Sequence, residues 1–264
     1  MAYERIQFAV TDGVATLTMN HPETRNALSW VMAREMGDAL GKVVSGEVRA
    51  RVLVLAGAGK GFCSGGDMGS GVAEGQGFGD MLYQGITEAV NPMLASLAAL
   101  EIPVISAVNG AAAGAGAPLA LSADFVVAGE GAFFFFAFPN VGLALDAGAS
   151  WLLPRLIGTA RATEALMLAE RIPAGKALEW GMIHKVVADA ALMDEAAALA
   201  QRLASGPTRS YGLIRQAMRK GLASDYAAAL AGEAEAQRSA GNSADCAEAV
   251  AAFLGKRAPV FQGK

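Results

Sequence analysis

The sequence predicts an α/β protein in which strand-strand-helix units repeat through the first part of the chain and helices fill the rest. Three observations carry this. Short β-type runs recur at Arg51–Ala56, Val104–Val108, Asp124–Ala128 and Ala132–Ala137. The first two of these empty into glycine-rich loops, Gly57-Ala-Gly-Lys-Gly61 and Gly110-Ala-Ala-Ala-Gly-Ala-Gly116. Beyond Ala147 the β-type runs nearly vanish, His184–Val187 excepted, and helical periodicity takes over.

Taken in order, Ile6, Phe8 and Val10, then Asp12-Gly13, then Val14, Leu17 and Met19 read as a β-hairpin with a glycine turn. Ser29 is an N-cap candidate for a helix through Val44, with Met32, Met36, Leu40 and Val43 at helical spacing. A helix is expected over Asp80–Leu100, and Pro103 opens the next strand. Phe133–Phe136 reads as a strand buried on both faces. Helical patterns occupy about 189–204, 208–220, 224–240 and 244–255. The chain is thus expected to divide into a core over 1–200 and a helical C-terminal region over 201–264 that packs on that core or on a neighbour's.

Composition excludes several classes of function. Hydrophobic residues make up 53% of the 264, charged residues only 17%, and the formal charge is −4. Nothing there suits nucleic acid or an anionic membrane surface, and an Ala-rich apolar chain fits close-packed helices or a buried oligomer interface. Cys63 and Cys246 offer no disulfide framework, and with only His21 and His184 besides, no metal-ligand spacing. Both cysteines are expected to be small buried residues, and His184 structural. Met1-Ala-Tyr-Glu-Arg5 lacks the basic and apolar regions of a signal peptide, so a cytoplasmic address is the default. The uncharged stretch Ile102–Ala123 is not read as a membrane span, because Pro103, Asn109 and Pro118 interrupt it.

Glycine lets a main chain turn tightly and lets a ligand reach backbone N–H groups. Two such junctions could aim two donors at one oxygen, the geometry that stabilises an enolate or a tetrahedral oxyanion. Other glycine motifs fit poorly. Gly57-Ala-Gly59-Lys-Gly61 is not G-x-G-x-x-G, Lys60 is not followed by Ser or Thr, and Phe62 spoils a nucleophile elbow at Ser64.

Gly61-Phe-Cys-Ser-Gly-Gly-Asp67 together with Val108-Asn-Gly-Ala-Ala-Ala-Gly-Ala-Gly116 resembles the crotonase superfamily of enoyl-CoA hydratases and isomerases. Asn26-Ala-Leu28, Trp151-Leu-Leu-Pro-Arg155 and Ala177-x-x-Trp-Gly-Met182 agree with it. The resemblance implies a spiral of β-β-α repeats, trimers or paired trimers, and an acyl-CoA substrate with no other cofactor. With it, the 201–264 region is expected to cover the active site and join subunits, and alternate rings of Phe133–Phe136 to line an acyl pocket. It implies that Gly66 and Ala115 supply the oxyanion-hole N–H groups; alanine is acceptable at 115 because the donor is backbone. It places coenzyme A contacts at Arg25, Ala27, Ser64, Asp67 and Met68, and suggests that Phe253 and Lys256 reach a neighbouring subunit's ligand.

The departures bear on the reaction. The two positions where hydratases of this family carry glutamates are Pro118 and Asn140 here, and neither serves as a general base near neutral pH. Asp146 remains, the only carboxylate between Glu130 and Glu164. Its residues alone allow two readings: a proton shuttle with a raised pKa, or a helix N-cap. Asp146-Ala-Gly-x-x-Trp-x-Leu-Pro-Arg155 and Lys256-Arg-Ala-Pro-Val-Phe-Gln-Gly-Lys264 are similar to the branch that isomerises ring-epoxidised phenylacetyl-CoA, in which the aspartate moves the proton. Leu145 and Ala149 depart from that branch, which commonly has Pro and Gly there. The expected function is therefore acyl-CoA isomerisation with Asp146 as acid and base. The alternatives are a hydratase, a thioester hydrolase, or an inactive acyl-CoA-binding protein.

Overall fold

The computed structural model describes residues 3–67, 69 and 77–264. β1 (Ile6–Thr11) and β2 (Val14–Met19) form the expected hairpin, with Asp12 and Gly13 both at positive φ as a two-residue turn requires. α1 (Trp30–Val44) follows its predicted cap, the Ser29 hydroxyl accepting the Met32 N–H.

Three strand pairs then repeat: β3 (Val52–Gly57) with β4 (Gly61–Cys63), β5 (Val104–Val108) with β6 (Ala111–Ala113), and β7 (Phe125–Gly129) with β8 (Phe133–Phe135). The first member of each pair joins a sheet ordered β1-β2-β3-β5-β7-β10, where β10 is Lys185–Val187. The second joins a smaller sheet ordered β4-β6-β8-β9, where β9 is Ile172–Pro173. Like members pair in parallel, so each unit climbs one step of a spiral and makes one corner between sheets.

β3 and β5 are apolar and buried almost throughout, the pattern of strands covered on both faces. The period of two sorts their side chains. Leu53 and Leu55 face the main core with Met32, Met36 and Met93, while Val52, Val54 and Ala56 face α7 (Leu192–Ala204).

The helix expected over Asp80–Leu100 is three segments: α2 (Phe78–Gly85), a π turn at Ile86–Val90, and α3 (Asn91–Ala99). Pro92 has no N–H for the carbonyl four residues back, and the Asn91 N–H reaches Ile86 O instead. α4 (Gly116–Leu121) is short, and α5 (Ala149–Leu168) bends at Gly158, which is non-helical at φ 75°. After α6 (Ala174–Glu179) and α7 come α8 (Thr208–Gly221), α9 (Tyr226–Gly241) and α10 (Ala244–Leu254). The uncharged stretch Ile102–Ala123 is β5, β6 and α4, and no helix among the described residues is long and apolar enough to cross a membrane.

α8 is tied to the core by Arg215, which is 5% exposed. Its guanidinium bonds both Asp124 carboxylate oxygens and the carbonyls of Leu97, Ala98 and Leu100, closing the C-terminus of α3.

Candidate active site

The two glycine loops lie against each other. Gly65 has φ 103°, and a Cβ there would stand 3.0 Å from Ala113 O; a Cβ at Gly114, φ 48°, would stand 3.4 Å from the Gly65 Cα. Side chains at either place would wedge the loops apart.

Two asparagine amides fix the first loop from outside. Asn26, fully buried at φ 58°, donates Nδ2 to Ala58 O, Gly61 O and Phe62 O at 2.9, 2.8 and 3.3 Å, and accepts the His21 N–H on Oδ1. Asn109, at the end of β5, donates Nδ2 to Gly57 O and Gly59 O at 3.0 and 2.9 Å. In the sequence Asn26 stood out only within the family-like Asn26-Ala-Leu28. Its neighbours gave no sign of a backbone clamp: Asn26 follows the polar run Glu23-Thr-Arg25 and reads as one more turn residue.

Leu28 and Gly66 form an isolated parallel bridge, in which the Leu28 N–H reaches Gly65 O at 2.7 Å and the Asp67 N–H reaches Leu28 O at 3.2 Å. This pattern uses the groups on either side of Gly66 and turns its own N–H away from Leu28. Ala115 directly precedes α4, so its N–H is among the donors a helix start leaves unpaired. Neither N–H has a hydrogen-bond acceptor among the described residues.

Gly66 and Ala115 line one cavity of about 170 Å³, together with Ser64, Asp67 and Asp146. Its remaining wall is apolar, with Leu28, Trp30, Leu82, Ile86, Val90 and Phe138 among it. Asp67 accepts the Gly69 N–H on Oδ1 at 2.9 Å. Asp146 is half-buried, and its Oδ1 is fully enclosed with no hydrogen-bond partner. Desolvation raises its pKa from 3.8 to about 6, since the apolar wall stabilises the ion poorly.

The helix-cap reading of Asp146 fails. The residue at the α5 N-cap is Gly148 at φ 80°, and Asp146 contributes only its backbone carbonyl, to the Ala149 N–H. Ala147 at φ 51° and Gly148 turn the chain between the aspartate and the helix, an uncommon conformation for alanine.

The other expected residues divide. Arg25 adjoins the cavity through Ser64, whose N–H bonds Arg25 O and whose hydroxyl bonds Thr24 O, and Ala27 directly precedes the lining residue Leu28. Met68 lies outside the described residues. Phe253 and Lys256, at and beyond the end of α10, are exposed and do not line the cavity of this single chain. Pro118 is buried in α4, and Asn140 is exposed and off the cavity wall. The expectation for the phenylalanine run is corrected. Phe134 and Phe136 are fully buried, Phe133 and Phe135 half-buried, and none lines the cavity. The ring that does is Phe138, in the 3-10 turn where β8 has already ended. Among the described residues no three His, Cys, Asp or Glu side chains gather to hold a metal ion.

The sequence pattern of the enoyl-CoA hydratase/isomerase family matches residues 9–264. The chain belongs to that family. It is 44% identical over 255 residues to the 1,2-epoxyphenylacetyl-CoA isomerase of Escherichia coli K12, covering 97% of each chain. It is 42% identical over 264 residues to a probable enoyl-CoA hydratase of Rhodobacter capsulatus, covering 100% of each. The crystal structure of a putative enoyl-CoA hydratase from Streptomyces coelicolor superposes with a TM-score of 0.93 at 36% identity, covering 100% of this chain and 96% of that one. The fold is the crotonase spiral. The family's relatives carry both hydratase and isomerase names, so membership leaves the choice of reaction to the site.

Proposed function

We propose that this enoyl-CoA hydratase/isomerase family member is an acyl-CoA isomerase in which one carboxylate, Asp146, moves the proton. The observation that carries the reading is Asp146 on the cavity wall, a carboxylate whose Oδ1 is enclosed and has no hydrogen-bond partner. Asp67, the other carboxylate on that wall, already accepts a backbone N–H of its own loop. The two glutamate positions of a hydratase are Pro118 and the outward Asn140. The name of the 44% identical isomerase supports the same choice and brings a ring-epoxidised arylacetyl thioester into the candidate substrates.

For a 3-enoyl thioester the step is a 1,3-proton shift. Asp146 as carboxylate takes a proton from the carbon between the thioester carbonyl and the double bond. The electron pair delocalises onto the thioester oxygen, which accepts hydrogen bonds from the Gly66 and Ala115 N–H groups. The protonated Asp146 then returns its proton to the far end of the dienolate, giving the 2-enoyl thioester. Each N–H is expected to contribute about 2.7–4 kcal/mol of barrier lowering. A carboxyl with a pKa near 6 suits both halves of the transfer at neutral pH.

Ser64, Asp67, Arg25, Ala27 and Met68 would hold the coenzyme portion. Assembly into trimers or paired trimers belongs to the same reading. α9 buries no residue in the single chain, and Phe253, Leu254 and Val250 on α10 are exposed. Phe253 and Lys256 would then meet a neighbour's ligand, and light scattering of the purified protein tests the assembly. The chemical reading is tested by incubating bound acyl-CoA in deuterated water. Label is expected to enter with the wild type and not with Asp146→Asn. No label with either would leave an acyl-CoA-binding protein.

A further inference from the structure

The largest side chain on the cavity wall is Trp30, the first residue of α1, and its place there depends on a glycine of another helix. A Cβ built at Gly85, the last residue of α2, would overlap the indole Cε2 and Cζ2 and stand 2.6 Å from Cδ2. These are adjacent ring atoms, so the face of the indole rests on bare backbone. Ser29 fixes the start of α1 beneath it, and Leu82 and Ile86 flank Gly85 on the cavity side. The ring is thus held from below and from the side.

The cavity, open on one side, is small. About 170 Å³ is close to the roughly 150 Å³ of an apolar cavity that takes up one benzene molecule. We propose that Trp30, seated on Gly85, sets the acyl size this site accepts, limiting it to the bulk of a single six-membered ring or a short chain. The inference rests on the acyl-thioester reading above, and it narrows the substrate class: ring-sized and short acyl groups enter, long chains do not. Trp30 is a specificity-determining residue and moves no proton.

The test compares trans-3-hexenoyl-CoA with trans-3-dodecenoyl-CoA as substrates for the wild type, Trp30→Ala, Trp30→Phe and Gly85→Ala. The wild type is expected to favour the short thioester. Trp30→Ala should shift the ratio of kcat/KM values toward the long one by about ten-fold or more, since even one methylene in an apolar pocket is worth about 10–200-fold. Trp30→Phe should shift it less. Gly85→Ala should lower turnover of both, because the displaced indole would crowd the cavity. Calorimetry with hexanoyl-CoA and dodecanoyl-CoA, which lack the reacting double bond, reads the size limit by binding alone. If the wild type binds them unequally but turns over no enoyl thioester, the isomerase reading falls and the size limit stands. An unchanged preference in both Trp30 variants, in binding and in turnover, would overturn the role given to Trp30.

Discussion

Leu28 engages the backbone on both sides of Gly66 and leaves the Gly66 N–H directed away from it. The donor on the cavity wall is therefore positioned by a bridge to the loop before α1 as well as by its own turn. Gly65, whose carbonyl accepts the Leu28 N–H, also lies close against the second loop, 3.0 Å from a built Cβ to Ala113 O. Gly65→Ala is expected to shift the two N–H groups relative to each other and lower kcat by about 10²–10³, the cost of losing one oxyanion donor. Steady-state kinetics beside an unchanged far-ultraviolet circular dichroism spectrum checks this.

The environment of Asp146 makes a pH prediction. With the pKa at about 6 in the folded chain, kcat/KM should rise with pH through a single ionisation near 6 as the carboxylate forms. A profile flat between pH 5 and 8 would assign the proton transfer to another group.

The same shift has a consequence for stability, and its sign follows from proton counting. Between 3.8 and about 6 the folded state holds a proton on Asp146 that the unfolded state has lost, so stability falls as pH rises through that window. Asp146→Asn removes this dependence. It should be the more stable protein at pH 8 by about 2 kcal/mol, a figure reduced for the residue's partial exposure. Urea unfolding of both proteins at pH 4 and pH 8 measures the difference.

Asn26 holds three carbonyls of the first glycine loop, and Asn26→Ala leaves them enclosed without that donor. A loss of about 2–4 kcal/mol in unfolding free energy is expected, with lower activity because the Gly66 loop loses its outer clamp. Asn26→Asp should rescue little, since its carboxylate cannot donate to carbonyls.

Arg215 predicts a stability effect remote from the chemistry. Removing its guanidinium strands Asp124 and uncaps α3, so Arg215→Met should cost about 3 kcal/mol. Thermal unfolding reads the loss, and KM for an acyl-CoA should change little in the protein that remains folded.

Much of this architecture was legible in the residues. The hairpin announced itself through Asp12-Gly13, and α1 through Ser29 and the methionines that follow it. β3 and β5 showed as apolar runs ending in glycine. What sequence could not give was longer-range or depended on a single missing hydrogen bond. The π turn at Ile86–Val90 follows from Pro92, but a proline in a helical pattern equally well reads as a kink or an end. Phe133–Phe136 looked like an acyl wall because rings suit acyl groups. The chain turns out of β8 after Phe135, and only Phe138 reaches the cavity. Trp30 gave no sign, since its role comes from Gly85, a residue 55 positions away by number. Gly66, Ala115 and Asp146 were named from motifs, and the fold brings all three to one cavity.

The most direct measurement follows trans-3-hexenoyl-CoA conversion to its 2-enoyl isomer and crotonyl-CoA hydration, in the wild type and in Asp146→Asn. The account predicts isomerisation by the wild type, a fall of about 10²–10⁴ on substitution, and weak hydration by either. Robust hydration of crotonyl-CoA that survives Asp146→Asn would contradict it.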